Sequence, residues 1–182
     1  MGHALMGAQT KIQWADKTFQ PWIGCEKVSP ACDHCYAEAL AKRAGWDVWG
    51  PDKPRRFTSE TYWRQPLRWD REAAAAGVRY RVFTSLLDPF EDRPDLVPQR
   101  ARFADLIRVT PHLDYLLLTK RPENIARLWE GGYPLANVWF GTTIEGPEYV
   151  NHRAIDLLVN GAGAAVRFLS IEPLLASIAS EL

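Results

Sequence analysis

The sequence has little cysteine, no excess of charge of either sign, no low-complexity tract and no exact repeat. It contains 3 cysteines in 182 residues, and an odd number argues against the disulfide framework of a small secreted domain. Lysine plus arginine number 22 and aspartate plus glutamate also number 22, so no overall positive field draws the protein to nucleic-acid phosphate. Contents of 47% hydrophobic and 24% charged residues are typical of globular proteins and argue against both disorder and a membrane-spanning protein.

The start of the chain, MGHALMGAQTKIQW, lacks the apolar stretch of a secretory signal peptide. We therefore expect a protein of the reducing cytoplasm with no membrane contact. A chain of 182 residues is long enough to bury one sizeable core. We expect a single domain over residues 1–182.

Short apolar runs rich in β-branched residues alternate with segments of helical periodicity, which predicts an α/β fold with parallel strands. A less regular first strand is expected at 18–23 and a first helix at 33–43. The clearest predicted strands cover residues 80–86, 114–119, 138–144 and 165–171. The predicted crossover helices cover 96–109, 122–130 and 148–159, with Pro122 and Pro147 at helix starts and Gly131, Gly132 and Gly161 past helix ends.

Polar residues follow these predicted strands at the points where the strands end. In parallel α/β folds the functional groups gather at the carboxyl ends of the strands. We expect these side chains to share one edge of the sheet, although polar residues also mark the places where loops begin. They are Ser85, Asp88, Thr119, Lys120, Arg121, Thr142, Thr143, Glu145, Ser170 and Glu172.

Residues 44–70 are predicted to form an irregular insertion rich in Trp, Arg and Pro. Within 42–70, seven basic residues stand against four acidic ones and alternate with six aromatic residues. Cations and stacking rings are the composition of nucleic-acid binding surfaces. The same composition also arises when rings fill the interior and arginine stems pack over them, which is the commoner case.

The three cysteines lie within 11 residues, at Cys25, Cys32 and Cys35, directly after the first predicted strand. Thiolates in this C-x6-C-x2-C spacing can converge, and they are soft ligands that suit zinc and iron–sulfur clusters. A closed zinc site needs a fourth ligand; His34 lies awkwardly between two of the cysteines, and no second C-x2-C or H-x3-H occurs. A dithiol pair of Cys32 and Cys35 at a helix start leaves Cys25 unexplained. The third interpretation is a [4Fe–4S] cluster on three cysteines, whose fourth iron is open to a substrate or a second cofactor.

The cysteine loop resembles that of radical S-adenosylmethionine (SAM) enzymes, although the first spacing there is three residues rather than six. More closely, the strings TKIQWADKTFQPWIGCEKVSPACDHCYAE, LLLTKRPENI, NVWFGTTIE and VRFLSIEPLL are similar to the phage Gp37/Gp68 family, also called DUF5131. The resemblance implies a partial (β/α) barrel of radical SAM type, a [4Fe–4S] cluster and SAM, whose reductive cleavage gives a 5′-deoxyadenosyl radical. It implies no particular substrate.

Carried onto this sequence, the resemblance makes Cys25, Cys32 and Cys35 the cluster ligands and Tyr36 an aromatic neighbour of the cluster. No glycine-rich GGE-like string follows the second strand, so the sequence indicates SAM less directly than the cluster. Lys120 and Arg121 are expected to bind a carboxylate or phosphate, unless they form a solvated pair at a helix start. The expected SAM contacts are Ser85 and Asp88 at its amino-acid part, Thr143 or Glu145 at its ribose, and Glu145 and Glu172 as acceptors for ribose hydroxyls or beside the sulfonium.

Members of this family extend beyond the SIEPLL string, whereas this chain ends ten residues after Glu172. The expected barrel is therefore short by a strand or more: the chain is a truncated form, another chain completes its edge, or residues 173–182 cap it as a helix. The leading hypothesis is a radical SAM-type enzyme. The alternative is a non-catalytic module in which the thiols hold a structural zinc or cluster and residues 42–70 bind nucleic acid or a partner protein.

Overall fold

The computed structural model describes residues 10–129, 132, 135–179 and 181. In chain order the strands are β1 (Lys17–Thr18), β2 (Trp22–Ile23), β3 (Arg56–Phe57), β4 (Tyr80–Phe83), β5 (Leu113–Thr119), β6 (Leu135–Thr143) and β7 (Ala164–Ser170). The α-helices are α1 (Tyr36–Arg43), α2 (Glu60–Trp63), α3 (Gln65–Ala76), α4 (Val97–Arg108), α5 (Ile125–Leu128) and α6 (Pro147–Asn160). Short 3-10 helices cover Pro30–His34, Pro94–Leu96 and Pro122–Asn124.

Five of the strands form one parallel sheet in the order β1-β4-β5-β6-β7. The four clear predicted strands correspond to β4, β5, β6 and β7. Because all five strands run the same way, their carboxyl ends meet at one edge of the sheet, as the sequence predicts. No helix in the described part of the chain is long and apolar enough to span a membrane.

The crossover helices begin and end where proline and glycine predict. Pro122 opens a 3-10 turn that leads into α5, and Pro147 opens α6. Gly161 follows the last residue of α6. The predicted helix end at Gly131 lies outside the described residues.

The sheet separates two apolar layers. Tyr115 and Leu117 of β5 face the helices and pack in one cluster with Trp69 of α3 and Phe103 of α4. The alternate residue, Leu116, joins Phe83 and Ala15 on the other face, where Trp139 and Phe168 are only half-buried. β5 is therefore buried on both faces, which explains why its sequence reads as a continuous apolar run.

The first predicted strand, 18–23, is divided in two, so the expectation of one strand was wrong. Pro21 has no N–H to donate to a ladder, and the chain leaves the main sheet after Phe19. Trp22 and Ile23 then pair with β3 in an antiparallel ribbon. Gly24 returns to the sheet edge, where its N–H donates to the carbonyl of Leu86 at 3.0 Å.

The prediction of an irregular insertion at 44–70 was wrong for its second half. Residues from Glu60 onward form α2 and α3, and α3 is followed by Gly77, whose φ is 66°. Pro66 at the helix start, Trp69 and Ala73 on the buried face and Gly77 past the end are helix signals in the sequence. The crowding of Trp and Arg concealed this periodicity.

The proposed helix over 173–182 is absent in the described part of that segment, 173–179 and 181, which has no regular structure. The Leu175 N–H instead donates to the carbonyl of Glu145 at 2.7 Å. Among the described residues β7 pairs only with β6, so it is an edge strand. Nearby hydrophobic side chains are exposed: Ile155, Leu158, Val159, Leu169 and Ile171.

Candidate functional site

A cavity at the carboxyl edge of the sheet brings the cysteine loop together with the strand ends. Thr142 and Ser170, two of the polar residues at predicted strand ends, do not line this cavity, whereas Thr119 does. Of the residues predicted to bind the cluster, SAM or an anion, all except Glu145 line it. They are Cys25, Cys32, Cys35, Tyr36, Ser85, Asp88, Lys120, Arg121, Thr143 and Glu172. Parallel strand order therefore places side chains up to 147 positions apart in the chain (25 to 172) around one space.

The cysteine loop leaves the sheet at Gly24, whose backbone has a φ of 120° that side-chain-bearing residues rarely adopt. A Cβ atom at Gly24 would lie 2.4 Å from the Val48 carbonyl oxygen, so the loop also needs glycine for space. Cys25 then forms an isolated parallel β-bridge with Trp49, and the Cys25 carbonyl accepts the Gly50 N–H at 3.0 Å. Cys32 lies in the 3-10 helix, and Cys35 is the residue before α1.

The three thiols are half-buried and free of disulfides. Within the described residues, no three His, Cys, Asp or Glu side chains lie close enough to hold one metal ion between them. A [4Fe–4S] cluster makes a different demand, because each thiolate binds a separate iron. Three free thiols on one cavity fit that donor set.

Arg121 and Asp88 fix the first cysteine. The Arg121 guanidinium donates to the Glu26 carbonyl at 2.9 Å and to Asp88 Oδ2 at 2.8 Å, and its Nη1 lies 3.8 Å from Cys25 Sγ. The other Asp88 oxygen accepts the Thr119 hydroxyl at 2.7 Å. Burial raises the pKa of the Cys25 thiol to about 12, and Asp88 adds to this while Arg121 acts against it.

Glu145 holds the middle of the cysteine loop rather than facing the cavity. Its carboxylate is fully buried and accepts the Ala31 N–H at 2.7 Å and Arg153 Nη1 at 2.7 Å. Burial favours the neutral acid, but hydrogen bonds from Ser29 and Arg153 and the charge of Lys120 hold the pKa of Glu145 below its usual value. The two contacts make this side chain an anchor of the loop, and it does not line the cavity.

Lys120 stands between Glu145 and the thiols. Its ammonium lies 3.8 Å from Glu145 Oε1, and its side chain is 20% exposed. Burial lowers the pKa of Lys120, while the charges of Glu145 and Cys32 act in the opposite direction. Of the two predicted cations, Lys120 therefore remains available to a ligand, whereas Arg121 is committed to the cysteine loop.

The end of β4 offers hydroxyl groups. Gln20 donates to Ser85 Oγ at 2.8 Å and accepts the Leu86 N–H at 3.0 Å, which leaves the Ser85 hydroxyl proton free to be donated. The Tyr36 hydroxyl donates to the Ser85 carbonyl at 3.2 Å. Thr84 also lines the cavity, and its buried hydroxyl has no hydrogen-bond partner among the described residues. A buried hydroxyl without a partner is a sign that a polar ligand group completes it.

The remaining two candidates differ in exposure. Thr143 is buried, and its carbonyl accepts Arg153 at 2.8 Å. Glu172 is exposed at the rim of the cavity.

The aromatic residues of 42–70 mostly serve the interior, whereas most of the basic residues of this segment lie at the surface. Tyr62, Trp63 and Trp69 are buried in the main core. The Arg55 side chain is fully buried, with Nε 2.9 Å from Glu91 Oε2. Phe57 is 46% exposed, and the Arg56 guanidinium lies 5.0 Å from the centre of the Trp46 ring. The exposed basic and aromatic residues of the predicted surface are Lys42, Arg43, Arg56, Phe57, Arg64 and Arg68.

Sequence reasoning missed three residues that line the cavity or support its lining: Gln20, Thr84 and Arg153. Arg153 had a detectable signal, because it falls on the apolar face of α6 between Val150 and Leu157. A charged residue at such a position needs a buried partner. Gln20 and Thr84 carry no comparable signal, since single polar residues near strand ends are common.

The comparisons with known proteins agree with this architecture. The fold is similar to that of a spore photoproduct lyase mutant with bound AdoMet and dinucleoside spore photoproduct, with a TM-score of 0.60 and 16% identity. The match covers 94% of this chain and 49% of that one, so the chain spans about half the length of the lyase. It confirms the predicted fold class, an α/β partial barrel with parallel strands.

No curated protein matches the sequence. A profile of the family described as "Protein of unknown function (DUF5131)" matches residues 9–182. The chain therefore belongs to the DUF5131 family.

Proposed function

We propose that this protein is a radical SAM-type enzyme, in which Cys25, Cys32 and Cys35 hold a [4Fe–4S] cluster. The observation that carries the proposal is the meeting of three free thiols with the carboxyl ends of parallel strands in one cavity. The similarity to a fold that holds AdoMet in the lyase structure supports it. When bound, such a cluster supplies one electron for the cleavage of SAM to methionine and a 5′-deoxyadenosyl radical.

The chain's own residues would bind SAM through the polar groups that still have hydrogen-bonding capacity. The Ser85 hydroxyl has a proton to donate, the Thr84 hydroxyl has no partner within the described part of the chain, and Lys120 is a cation near the thiols. These groups suit the carboxylate of the amino-acid part of SAM. Because Glu145 is already bound to Ala31 and Arg153, Glu172 remains as the carboxylate that would accept the ribose hydroxyls or lie beside the sulfonium.

Anaerobic purification followed by reconstitution with iron and sulfide tests the cluster. We expect brown protein with about four irons and four sulfides per chain. The dithionite-reduced protein should give an electron paramagnetic resonance signal that changes when SAM is added. Colourless protein with stoichiometric zinc would overturn the proposal and favour the non-catalytic module.

His34 provides the matched control, because it is exposed between Cys32 and Cys35. A zinc site in this loop needs His34 as its fourth ligand, whereas the cluster does not. We expect His34→Ala to keep its full iron content. Loss of the metal from this variant would favour zinc.

We further propose nucleic acid as the substrate class, reached through the half-buried Trp46 and the exposed Arg56 and Phe57. The composition of this patch supports the proposal, and Trp49 lies on both the cavity and an adjoining cleft beside Trp46. Filter binding with single-stranded oligonucleotides should show affinity that falls with salt and weakens in an Arg56→Ala, Phe57→Ala variant. Equal affinity in that variant would remove the patch from the site.

A reducing cytoplasm suits a cluster protein with three free thiols.

A further inference from the structure

We propose that Arg121 and Asp88 act as a pair of opposed charges that positions Cys25 and sets the reduction potential of the cluster. The inference rests on the proposed function, since it concerns the cluster at the three cysteines. Arg121 is a positioning residue in this proposal.

The contacts of Arg121 link the sheet directly to the first cysteine. Arg121 follows β5, and its Nη1 is shared between Asp88 at 2.8 Å and Cys25 Sγ at 3.8 Å. Its Nη2 holds the carbonyl of Glu26, the residue after Cys25. The guanidinium thus fixes both the sulfur and the backbone beside it.

Asp88 is in turn held from four directions. It accepts the Phe90 N–H at 2.9 Å and the Thr119 hydroxyl at 2.7 Å on one oxygen. The other oxygen accepts Arg121 and, at 3.3 Å, the Lys120 N–H. Asp88 therefore cannot turn away from Arg121 without breaking several hydrogen bonds.

Both charges are buried, so solvent screens them weakly. The side chain of Arg121 is 9% exposed and that of Asp88 is 6% exposed. Burial makes such a pair a weak source of stability, because the cost of removing two charges from water offsets their attraction. The same burial makes each charge act strongly on a neighbouring group whose own charge changes.

A cluster changes its charge by one unit when it is reduced, and hydrogen bonds and charges near its sulfurs set its potential. A cation beside Cys25 favours the added electron, and an anion opposes it. Arg121→Gln leaves Asp88 unopposed and should move the potential to a more negative value. Asp88→Asn leaves Arg121 unopposed and should move the potential to a more positive value.

The opposite signs separate this role from simple structural support, because damage to the loop has no reason to shift the potential in opposite directions. Arg121→Lys keeps the charge but not the planar set of contacts, so its potential should lie nearer to that of the parent. Arg127→Gln is the matched control. Arg127 lies on α5 and pairs with Asp92 at the surface, where both side chains are 56% exposed.

The test is a spectroelectrochemical titration of the reconstituted parent and of these four variants. Each variant is first checked for native circular dichroism and for iron and sulfide content. Shifts of opposite sign in Arg121→Gln and Asp88→Asn, with no shift in Arg127→Gln, support the proposal. Unchanged potentials, or shifts of the same sign, overturn it.

Loss of iron is also informative. If Arg121→Gln folds without its cluster while Arg121→Lys keeps it, the charge is needed to hold Cys25, which supports the positioning role. If Arg121→Gln does not fold, Arg121→Lys and Asp88→Asn carry the test, and unchanged potentials in both overturn the proposal. A parent protein without a cluster would instead refute the proposed function itself.

Discussion

Replacement of Glu145 tests whether a buried ion pair holds the cysteine loop onto the sheet. The Glu145 carboxylate joins three parts of the chain: the end of β6, Arg153 on α6 and the Ala31 N–H in the loop. Among the residues that the structure describes, the other acceptor at Arg153 Nη1 is the Thr143 carbonyl at 2.8 Å. Removal of the carboxylate leaves a guanidinium that is 4% exposed without its counter-charge.

The magnitude follows from that burial. Removing one partner of a buried ion pair costs about 3–5 kcal/mol, so Glu145→Ala should lose about that much of the free energy of unfolding. For a domain of this size the loss corresponds to a fall in Tm of about 6–20 °C. Glu145→Gln keeps the shape and one acceptor, and we expect it to lose about 1–3 kcal/mol.

Urea unfolding followed by circular dichroism measures these losses in the protein without a cluster. Glu148→Gln is the matched control, since Glu148 is exposed at the start of the same helix, and it should change stability by no more than about 0.5 kcal/mol. A loss below about 1 kcal/mol in Glu145→Ala would refute the reasoning, because it would mean that Arg153 reaches solvent or another partner.

The pH dependence gives a second readout of the same group. Because the folded-state pKa of Glu145 lies below its ordinary value of 4.5, the carboxylate stabilises the fold at pH values above 4.5. This contribution should be lost as the pH falls from 4.5 through the folded-state pKa. The stability difference between the parent and Glu145→Gln should therefore shrink in acid, and a constant difference would contradict the assignment.

Three further predictions concern the loop and its supports. Cys25→Ala, Cys32→Ala and Cys35→Ala should each abolish cluster binding, measured as iron per chain; full iron content in Cys25→Ala would point to a site made by Cys32 and Cys35 alone. Gly24→Ala should lower the free energy of unfolding by about 2 kcal/mol or more, since its Cβ would meet the Val48 carbonyl oxygen at 2.4 Å. Gly45→Ala is the control: its Cβ has nothing within 4 Å, so the variant should lose only about 1–2 kcal/mol, for the positive φ alone. Equal losses would show that the loop moves to accept a side chain. Glu91→Ala should lower the free energy of unfolding by about 3–5 kcal/mol, because it leaves the fully buried Arg55 without its counter-charge. Asp92→Ala, at an exposed ion pair, should lose less than about 1 kcal/mol. Similar losses in the two variants would mean that the backbone carbonyls around Arg55 stabilise its charge without Glu91.

The sequence predicted the parallel sheet because short apolar runs alternate with helical segments. The run in Leu113–Thr119 is the clearest, since β5 is buried on both faces. It also predicted most of the side chains that share the cavity, since parallel strands bring their carboxyl ends to one edge whatever the loop lengths; Thr142, Glu145 and Ser170 are the exceptions. Helix boundaries followed from Pro122, Pro147 and Gly161, whose effects act within a single turn. These features depend on short-range periodicity and backbone chemistry.

Partner choice among the polar residues was decided only by the tertiary structure. Glu145 and Glu172 both follow strands and look alike in sequence, yet one is buried against Arg153 and the other is exposed at the rim. Lys120 and Arg121 are adjacent and both line the cavity, yet the Lys120 ammonium has Glu145 at 3.8 Å, whereas Arg121 is bound to Asp88 and the cysteine loop. Residue type and spacing determine which polar groups lie at the edge of the sheet. Which of these groups already have hydrogen-bond or ion-pair partners depends on distances of a few ångströms between segments that are far apart in the chain. The sequence alone therefore determined the fold class and most of the residues that line the site, and the packing of the loop on the sheet decided the role of each residue.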